Sequence, residues 1–344
     1  MKCNLDCDYC STGIYGGHDN TQSHPLLDEC VNTIDFMFKY VDHVMQGRRQ
    51  SLRTVVLNVY GGEALNHPQI VEILQAVKHK HQQYADRWTL RVTNTTNLIL
   101  SQTKLEKILP LIDEFTVSYH TNNTPKQKTQ FRENILLIKQ QNVPVKCVVL
   151  MHSESELFKD AQQQIAWCDQ HDVKHLPRQL DRARETTTFD YDQKQVHWFE
   201  NLYQRRSYNV EKISLDNGVA TNLSSAGRAC CGGRQLCENS NFKTRNFFVE
   251  NKFPDWFCSV DKFFLYVKQV NGEVYVNRDC KMNYQGQVGP IGNLNNVEQI
   301  LKNQLLQTEP IQCKKSSCWC GLCAPKAKDI DTFNQVMLKY QHNP

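Results

Sequence analysis

Residues 2–10 read KCNLDCDYC and place Cys3, Cys7 and Cys10 within eight positions, in the pattern C-x3-C-x2-C, almost at the first residue of the chain. Three thiols on one short loop can wrap a metal centre and leave one coordination position unfilled by protein. Structural zinc sites are usually closed by four ligands, and iron–sulfur clusters usually take four thiolates. A set of three therefore implies a distant fourth ligand or a site kept open for something else. The plain alternative is three cysteines on a loop with no shared role.

Outward from that loop, the 344-residue chain is long enough for one large domain and a smaller one. A hydrophobic content of 40% supports a packed core, and 40 basic against 36 acidic residues give a formal charge of only +4. That balance does not favour a nucleic-acid partner. The run Lys78-His79-Lys80-His81 falls on a helical pattern and reads as a solvated face. Fifteen cysteines are the unusual feature. No signal peptide or membrane-length apolar run accompanies them, so a cytoplasmic location and metal ligation are expected rather than disulfides.

Residues 26–180 alternate between helical and strand-like patterns. Helices are expected at Leu26–Met45, Ile70–Val77, Leu105–Leu111, Asn134–Gln140 and Ala161–Gln170. Strands are expected at Thr54–Tyr60, Thr89–Thr93, Phe115–Tyr119, Val143–Met151 and Val173–Leu176. Repeated β–α units with short loops predict an α/β fold with a parallel sheet, here a partial TIM-type (β/α)6 barrel with function at the C-terminal strand ends. Residues 183–226 are polar and read as a linker with an amphipathic helix near Gln195–Tyr203. The barrel is thus assigned to 1–182. Residues 227–344 are read as a small cysteine-rich α+β domain with a β-hairpin.

The strand ends carry the informative residues. Gly61-Gly62-Glu63 follows the first strand, Thr93-Asn94 lies at the next, and Ser118 and His120 at the third. Each is a common strand exit by itself; their order on successive strands is the signal. On KCNLDCDYC, YGGEAL, VTNTTNL and TVSYH, residues 1–180 resemble the radical S-adenosylmethionine (SAM) superfamily. The resemblance implies that Cys3, Cys7 and Cys10 hold a [4Fe–4S] cluster, the catalytic centre, whose remaining iron is chelated by SAM. It implies further that Gly61 and Gly62 let the backbone approach the SAM amino group, that Glu63 accepts from it, and that Asn94 and Ser118 contact the carboxylate and ribose. Tyr9 matches the family's residue beside the adenine. Two features depart from the pattern. Ala64 stands where the family often has proline, and the strand that normally precedes the cluster loop is absent before Met1, so an upstream start or another closing element is expected.

Nine cysteines lie from residue 230 onward: Cys230, Cys231 and Cys237 in GRACCGGRQLC, Cys258 and Cys280 around a hairpin signal at Asn271-Gly272, and Cys313, Cys318, Cys320 and Cys323 in CKKSSCWCGLC. With Ile291-Gly292-Asn293-Leu294 between them, this region is similar to the SPASM and twitch extensions of radical SAM enzymes, which implies one or two auxiliary [4Fe–4S] clusters. A zinc site at Cys313, Cys318, Cys320 and Cys323 is the competing reading. Cys30, Cys147 and Cys168 sit in apolar patterns and read as core residues. Arg228 and Arg234 fit an anion or a cluster's charge, and Asp255 and Asp279 are bases by position only.

The resemblance implies an oxidoreductase or maturase in which a 5′-deoxyadenosyl radical takes hydrogen from a substrate, foremost a peptide or protein side chain. An electron donor such as flavodoxin or ferredoxin would serve it. The alternatives are a small metabolite or a nucleic-acid base as substrate, or a zinc or iron–sulfur binding protein without SAM chemistry.

Overall fold

The computed structural model describes residues 3–5, 7, 9, 24–46, 53–180, 189–205, 219–220, 255–269, 271–277, 283–284, 287–306, 309–314 and 326–338. The chain forms two compact units, one of residues 1–27, 56–79 and 90–199, the other of 28–55, 80–89 and 200–344. No helix among the described residues is long and apolar enough to cross a membrane.

The first unit is built on a five-stranded sheet in the order β1-β2-β3-β4-β5, with β1 Thr54–Val59, β2 Thr89–Thr96, β3 Glu114–Tyr119, β4 Val145–Met151 and β5 Lys174–Gln179. Registers from β2 to β5 are parallel, and each strand pairs with the next in sequence. Helices α2 Ile70–Gln82, α3 Gln102–Ile108, α4 Pro125–Gln140 and α5 Ser155–Gln170 make the crossovers. This is the expected α/β fold with a parallel sheet.

Side chains alternate across a strand, so each strand has two characters. One face carries Val92, Asn94 and Thr96 of β2, Phe115, Val117 and Tyr119 of β3, and Cys147, Val149 and Met151 of β4, all buried. Phe131, Ile135 and Ile138 of α4, at helical spacing, bury with them, and the Phe131 ring meets Tyr119 edge-on at 5.4 Å. Phe158, Ala161, Ile165 and Cys168 form the matching stripe of α5. Cys147 and Cys168 are fully buried and hydrogen-bonded to each other, as core residues. The opposite face is the more polar, with half-exposed Thr95, Thr116, Ser118, Lys146 and Arg178 beside the apolar Val148, Leu150 and Leu176.

Helix α4 begins nine residues before the predicted Asn134. Its first turns, PKQKTQ, have no apolar period, but Thr124 accepts from Gln127 N while Gln127 Oε1 accepts from Thr124 N, and Pro125 occupies the first turn. The capping box thus starts a helix that the apolar pattern does not show.

The sequence region expected as a linker opens with α6 Gln193–Arg205, whose Phe199 is fully buried against Phe158 and Tyr191, both with ring centroids at 5.6 Å. The charged run on α2 is partnered: Lys78 with Asp113 at 3.0 Å and Lys80 with Asp35 at 2.8 Å.

The second unit packs Phe36 and Tyr40 of α1 Leu27–Gln46 with Cys258, Val260, Val274, Val276, Ile291, Ile300 and Ile311. The hairpin expected at Asn271-Gly272 is present as β8 Tyr266–Lys268 and β9 Glu273–Tyr275, but its connection is four residues, 269–272, rather than two. Of Asn271 and Gly272, Gly272 alone has positive φ (+68°), whereas a two-residue type I′ turn needs it at both positions; here the Gly272 N–H donates to Lys268 O instead. Asn293 and Leu294 then clasp the turn through Asn271 O and Gly272 O, each at 2.8 Å. Gly292 of β10 Gly292–Asn293 admits no side chain, because a Cβ would stand 2.4 Å from Ile300 of α7 Val297–Leu306. A second small sheet has the order β11-β7-β12-β6, with β6 Val219–Ala220, β7 Phe257–Cys258, β11 Ile311–Gln312 and β12 Lys326–Ala327.

The capping box gives a direct test. Thr124→Ala is expected to lower stability by about 1 kcal/mol while Thr124→Ser retains most of it, as read from urea unfolding midpoints. Equal midpoints for Ala and wild type would show that α4 does not depend on its cap.

Candidate functional site

The glycines after β1 take backbone angles that favour glycine, φ +118° at Gly61 and +47° at Gly62, and turn the chain so that Glu63 points inward. Glu63 is only 2% exposed. Its Oε1 accepts from Leu65 N at 3.1 Å, and its Oε2 accepts from Asn97 N at 2.7 Å and Thr96 Oγ1 at 2.9 Å. Burial raises its pKa, and these donors together with Lys104 offset part of the rise. One carboxylate thereby joins the exit of β1 to the exit of β2. The acceptor role toward a ligand amine expected of Glu63 meets a group whose oxygens are already engaged by the chain.

Beyond β2 the chain turns through Leu98, a fully buried residue in the left-handed region at φ +57°. Such a backbone costs a non-glycine residue about 1 kcal/mol or more, so neighbours must impose it. Thr96 Oγ1 accepts from Leu98 N at 2.8 Å, and Asn134 Nδ2 of α4 donates to Leu98 O and Leu100 O at 3.0 and 2.9 Å. The result is a rigid strand exit that presents Asn97.

The cysteine loop docks on these exits. Asn97 Nδ2 donates to Asn4 Oδ1 at 2.7 Å and lies 3.9 Å from Cys3 Sγ, and Asn4 Nδ2 donates to Ile99 O at 3.1 Å. Cys3 Sγ also receives Leu5 N at 3.5 Å. On the other side, Cys7 Sγ is 3.3 Å from His120 Nδ1, and Tyr9 Oη is 3.0 Å from the same nitrogen. Tyr9 stacks on His120 with 10° between the rings, and its hydroxyl donates to Asn122 Oδ1. His152 after β4 and Phe189 complete an aromatic group around Tyr9, with centroids 6.3 Å from it. Cys7, Tyr9 and Leu180 are buried together against Leu5 and Leu150. Burial pushes the His120 pKa down to about 4.

The structure therefore brings Cys3, Cys7 and Tyr9 to the C-terminal ends of β2, β3 and β4, beside the loop of Gly61, Gly62 and Glu63. Ser118 lies on the polar face of the sheet, level with Val148. Asn94 lies on the helix-covered face, fully buried, with Nδ2 donating to Val59 O at 2.6 Å and Oδ1 unpartnered among the described residues. It braces β1 against β2. Strand parity puts Thr95, not Asn94, on the face of Ser118. Cys10, Cys230, Cys231, Cys237, Cys280, Cys318, Cys320 and Cys323 lie outside the described residues. Cys258 and Cys313 are buried; β7 pairs antiparallel with β11, and Cys313 N donates to Trp256 O, which places both cysteines on one face of the small sheet.

Asn4, Asn97, His152 and Phe189 were not among the residues expected from sequence. Asn97 lies inside VTNTTNL, and counting strand parity from Val92 would have separated it from Asn94.

As to metals, no group of three His, Cys, Asp or Glu side chains suited to one ion occurs among the described residues. The donors that are described fit a thiolate-held centre: two thiols on one loop, one with an amide N–H and one with an imidazole nitrogen beside it.

No protein-family model matches the chain, and no curated protein is significantly similar to it. Its fold is similar to solved structures. Native anSMEcpe with bound AdoMet and Kp18Cys peptide superposes with a TM-score of 0.51 at 11% identity, covering 90% of this chain and 80% of the other. Native anSMEcpe with bound AdoMet and Cp18Cys peptide gives 0.50 at 12% identity, covering 90% and 79%. At such identities the likeness shows a shared fold.

Glu63→Ala would leave three buried donors without an acceptor and is expected to destabilise the protein by about 3 kcal/mol or more, with Glu63→Gln intermediate. Urea unfolding measures this, and a shift in midpoint equivalent to less than about 0.5 kcal/mol would show that the two strand exits are held by other contacts.

Proposed function

We propose that this protein is a radical SAM enzyme in which Cys3, Cys7 and Cys10 hold a [4Fe–4S] cluster and AdoMet binds at the C-terminal ends of the sheet. The observation that carries the reading is the docking of the cysteine loop on the exits of β2 and β3, beside the Gly61-Gly62-Glu63 turn. It is joined by a fold shared with a protein solved with AdoMet bound. When present, the reduced cluster supplies the electron that cleaves the sulfonium carbon–sulfur bond of AdoMet to a 5′-deoxyadenosyl radical.

The chain's own residues hold and shape that site. Cys3, Cys7 and Cys10 would supply three thiolates where such clusters usually take four, which would leave AdoMet room to bind beside them. Gly61 and Gly62, lacking side chains, let backbone carbonyls approach the amino group. Ser118 and Thr95 offer hydroxyls on the polar face, while Arg178, level with Leu150 on that face, offers a guanidinium to a carboxylate. Tyr9, His152 and Phe189 give an aromatic wall suited to adenine and exclude water from the thiolates. Asn94 and Glu63 act on the backbone around them rather than as direct contacts.

A peptide or protein side chain is the proposed substrate, supported by the peptides held by anSMEcpe in the structures that share the fold. Residues 227–344, with nine cysteines, are proposed to hold one or two auxiliary clusters. The juxtaposition of Cys258 and Cys313 on one sheet face, with buried Lys326 directly opposite Cys258 on β12, supports a ligand set there. The proposed electron donor is a flavodoxin or ferredoxin, and the proposed compartment is the cytoplasm, where a reducing environment keeps fifteen cysteines as thiols.

Anaerobic reconstitution tests the reading. Replacing Cys3, Cys7 and Cys10 together by alanine is expected to remove about four irons per chain and to abolish release of 5′-deoxyadenosine from AdoMet under reductant. Equal iron content in both proteins, or zinc in place of iron with no cleavage in either, would overturn it.

A further inference from the structure

Asn97 sits between the two loops that the proposed site requires. Its backbone N–H donates to Glu63 Oε2 at 2.7 Å, its side-chain Oδ1 accepts from Ile99 N at 3.0 Å, and its Nδ2 donates to Asn4 Oδ1 at 2.7 Å while lying 3.9 Å from Cys3 Sγ. It is 5% exposed. All its polar atoms except the backbone carbonyl are thereby committed to one geometry, and the turn that carries it is locked by Leu98 and Asn134. Asn4, in turn, is fastened to Ile99 O.

We infer that Asn97 is a positioning residue that fixes the cysteine loop to the Gly61-Gly62-Glu63 turn and directs an amide N–H at the Cys3 sulfur. The inference rests on the proposed cluster site and names a residue that the motif itself does not contain. The physical reason is twofold. First, ligands on a short loop hold a common geometry only if the surrounding scaffold fixes it. The path Glu63, Asn97, Asn4 supplies it through two hydrogen bonds from residues on regular strand exits. Second, N–H donation to a ligating sulfur withdraws electron density and favours the reduced centre, which is the state that must form before AdoMet is cleaved. An aspartate of the same shape offers no side-chain N–H to either Asn4 or Cys3 and adds a negative charge beside the sulfur. Asn97 is distinct in this from Asn94, whose amide is turned into the sheet.

The test uses the full chain, reconstituted anaerobically, with Asn97→Ala, Asn97→Asp, Asn4→Ala and the Asn4→Ala/Asn97→Ala double variant. Iron release to a chelator is expected to be about tenfold or more faster in both Asn97 variants than in wild type. The reduction potential of the cluster bound by Cys3, Cys7 and Cys10, followed by its electron paramagnetic resonance signal, is expected to move negative, further for Asp than for Ala. The double variant is expected to release iron no faster than Asn97→Ala, because both changes break one path. Urea unfolding of the iron-free proteins separates support of the loop from loss of the fold: the variants' midpoints should stay far closer to wild type than that of Glu63→Ala. Iron retention and potential equal to wild type, or strictly multiplicative effects of the two substitutions, would overturn the assignment and leave the proposed function standing. A wild-type chain that takes up no iron overturns both.

Discussion

A single buried carboxylate organises the end of the sheet where the chemistry is proposed. Glu63 receives three donors from two strand exits. A carboxyl group at 2% exposure is tolerable only when such donors replace water. The constraint runs both ways. The glycine turn must deliver the carboxylate to one point, and β2 must end so that Thr96 and Asn97 meet it there. Leu98 follows in a left-handed backbone, its carbonyl and that of Leu100 held by Asn134 reaching from α4. Through Asn97 the same carboxylate is linked onward to Asn4 of the cysteine loop.

Strand parity divides the work. Residues on the helix side are mostly buried and, except for Asn94, Thr96, His175 and Gln179, apolar or aromatic through β2 to β5. Those on the other side are mixed: Asn58 bridges to Thr93 and Thr95 across β1 and β2, Arg91 pairs with Glu114 at 2.6 Å, and the apolar Val148, Leu150 and Leu176 lie among them. Both faces run out together at the strand ends, where the proposed site lies.

The fold was largely legible because burial on one face writes β-branched and aromatic residues into each strand, and five strands and their crossover helices follow from that pattern. What periodicity could not show was structure made by polar groups. The first turns of α4 are held by Thr124 and Gln127, not by an apolar stripe. The four-residue hairpin depends on Gly272 closing onto Lys268 O, where Asn271-Gly272 alone reads as a tighter turn. At the site, Gly61, Gly62 and Glu63 were visible as a motif. The use of Glu63 was not, because a carboxylate facing a ligand and one bonded to its own chain have the same spelling.

Asn94 and Asn97 carry this furthest. Both belong to VTNTTNL, and both are buried amides three positions apart. Asn94 is within β2 and so is bound by parity to the helix side, where its Nδ2 donates to Val59 O. Asn97 is one residue past the strand, where parity no longer holds and the turn is free to aim it. A residue that must reach a separate loop therefore belongs after the strand, not in it. The same reasoning accounts for His120, which follows Tyr119 at the end of β3 and meets both Cys7 and Tyr9. The two described cysteines of the opening loop are each met by the first residue beyond a strand, which is why the loop rests on the rim of the sheet and not on its face.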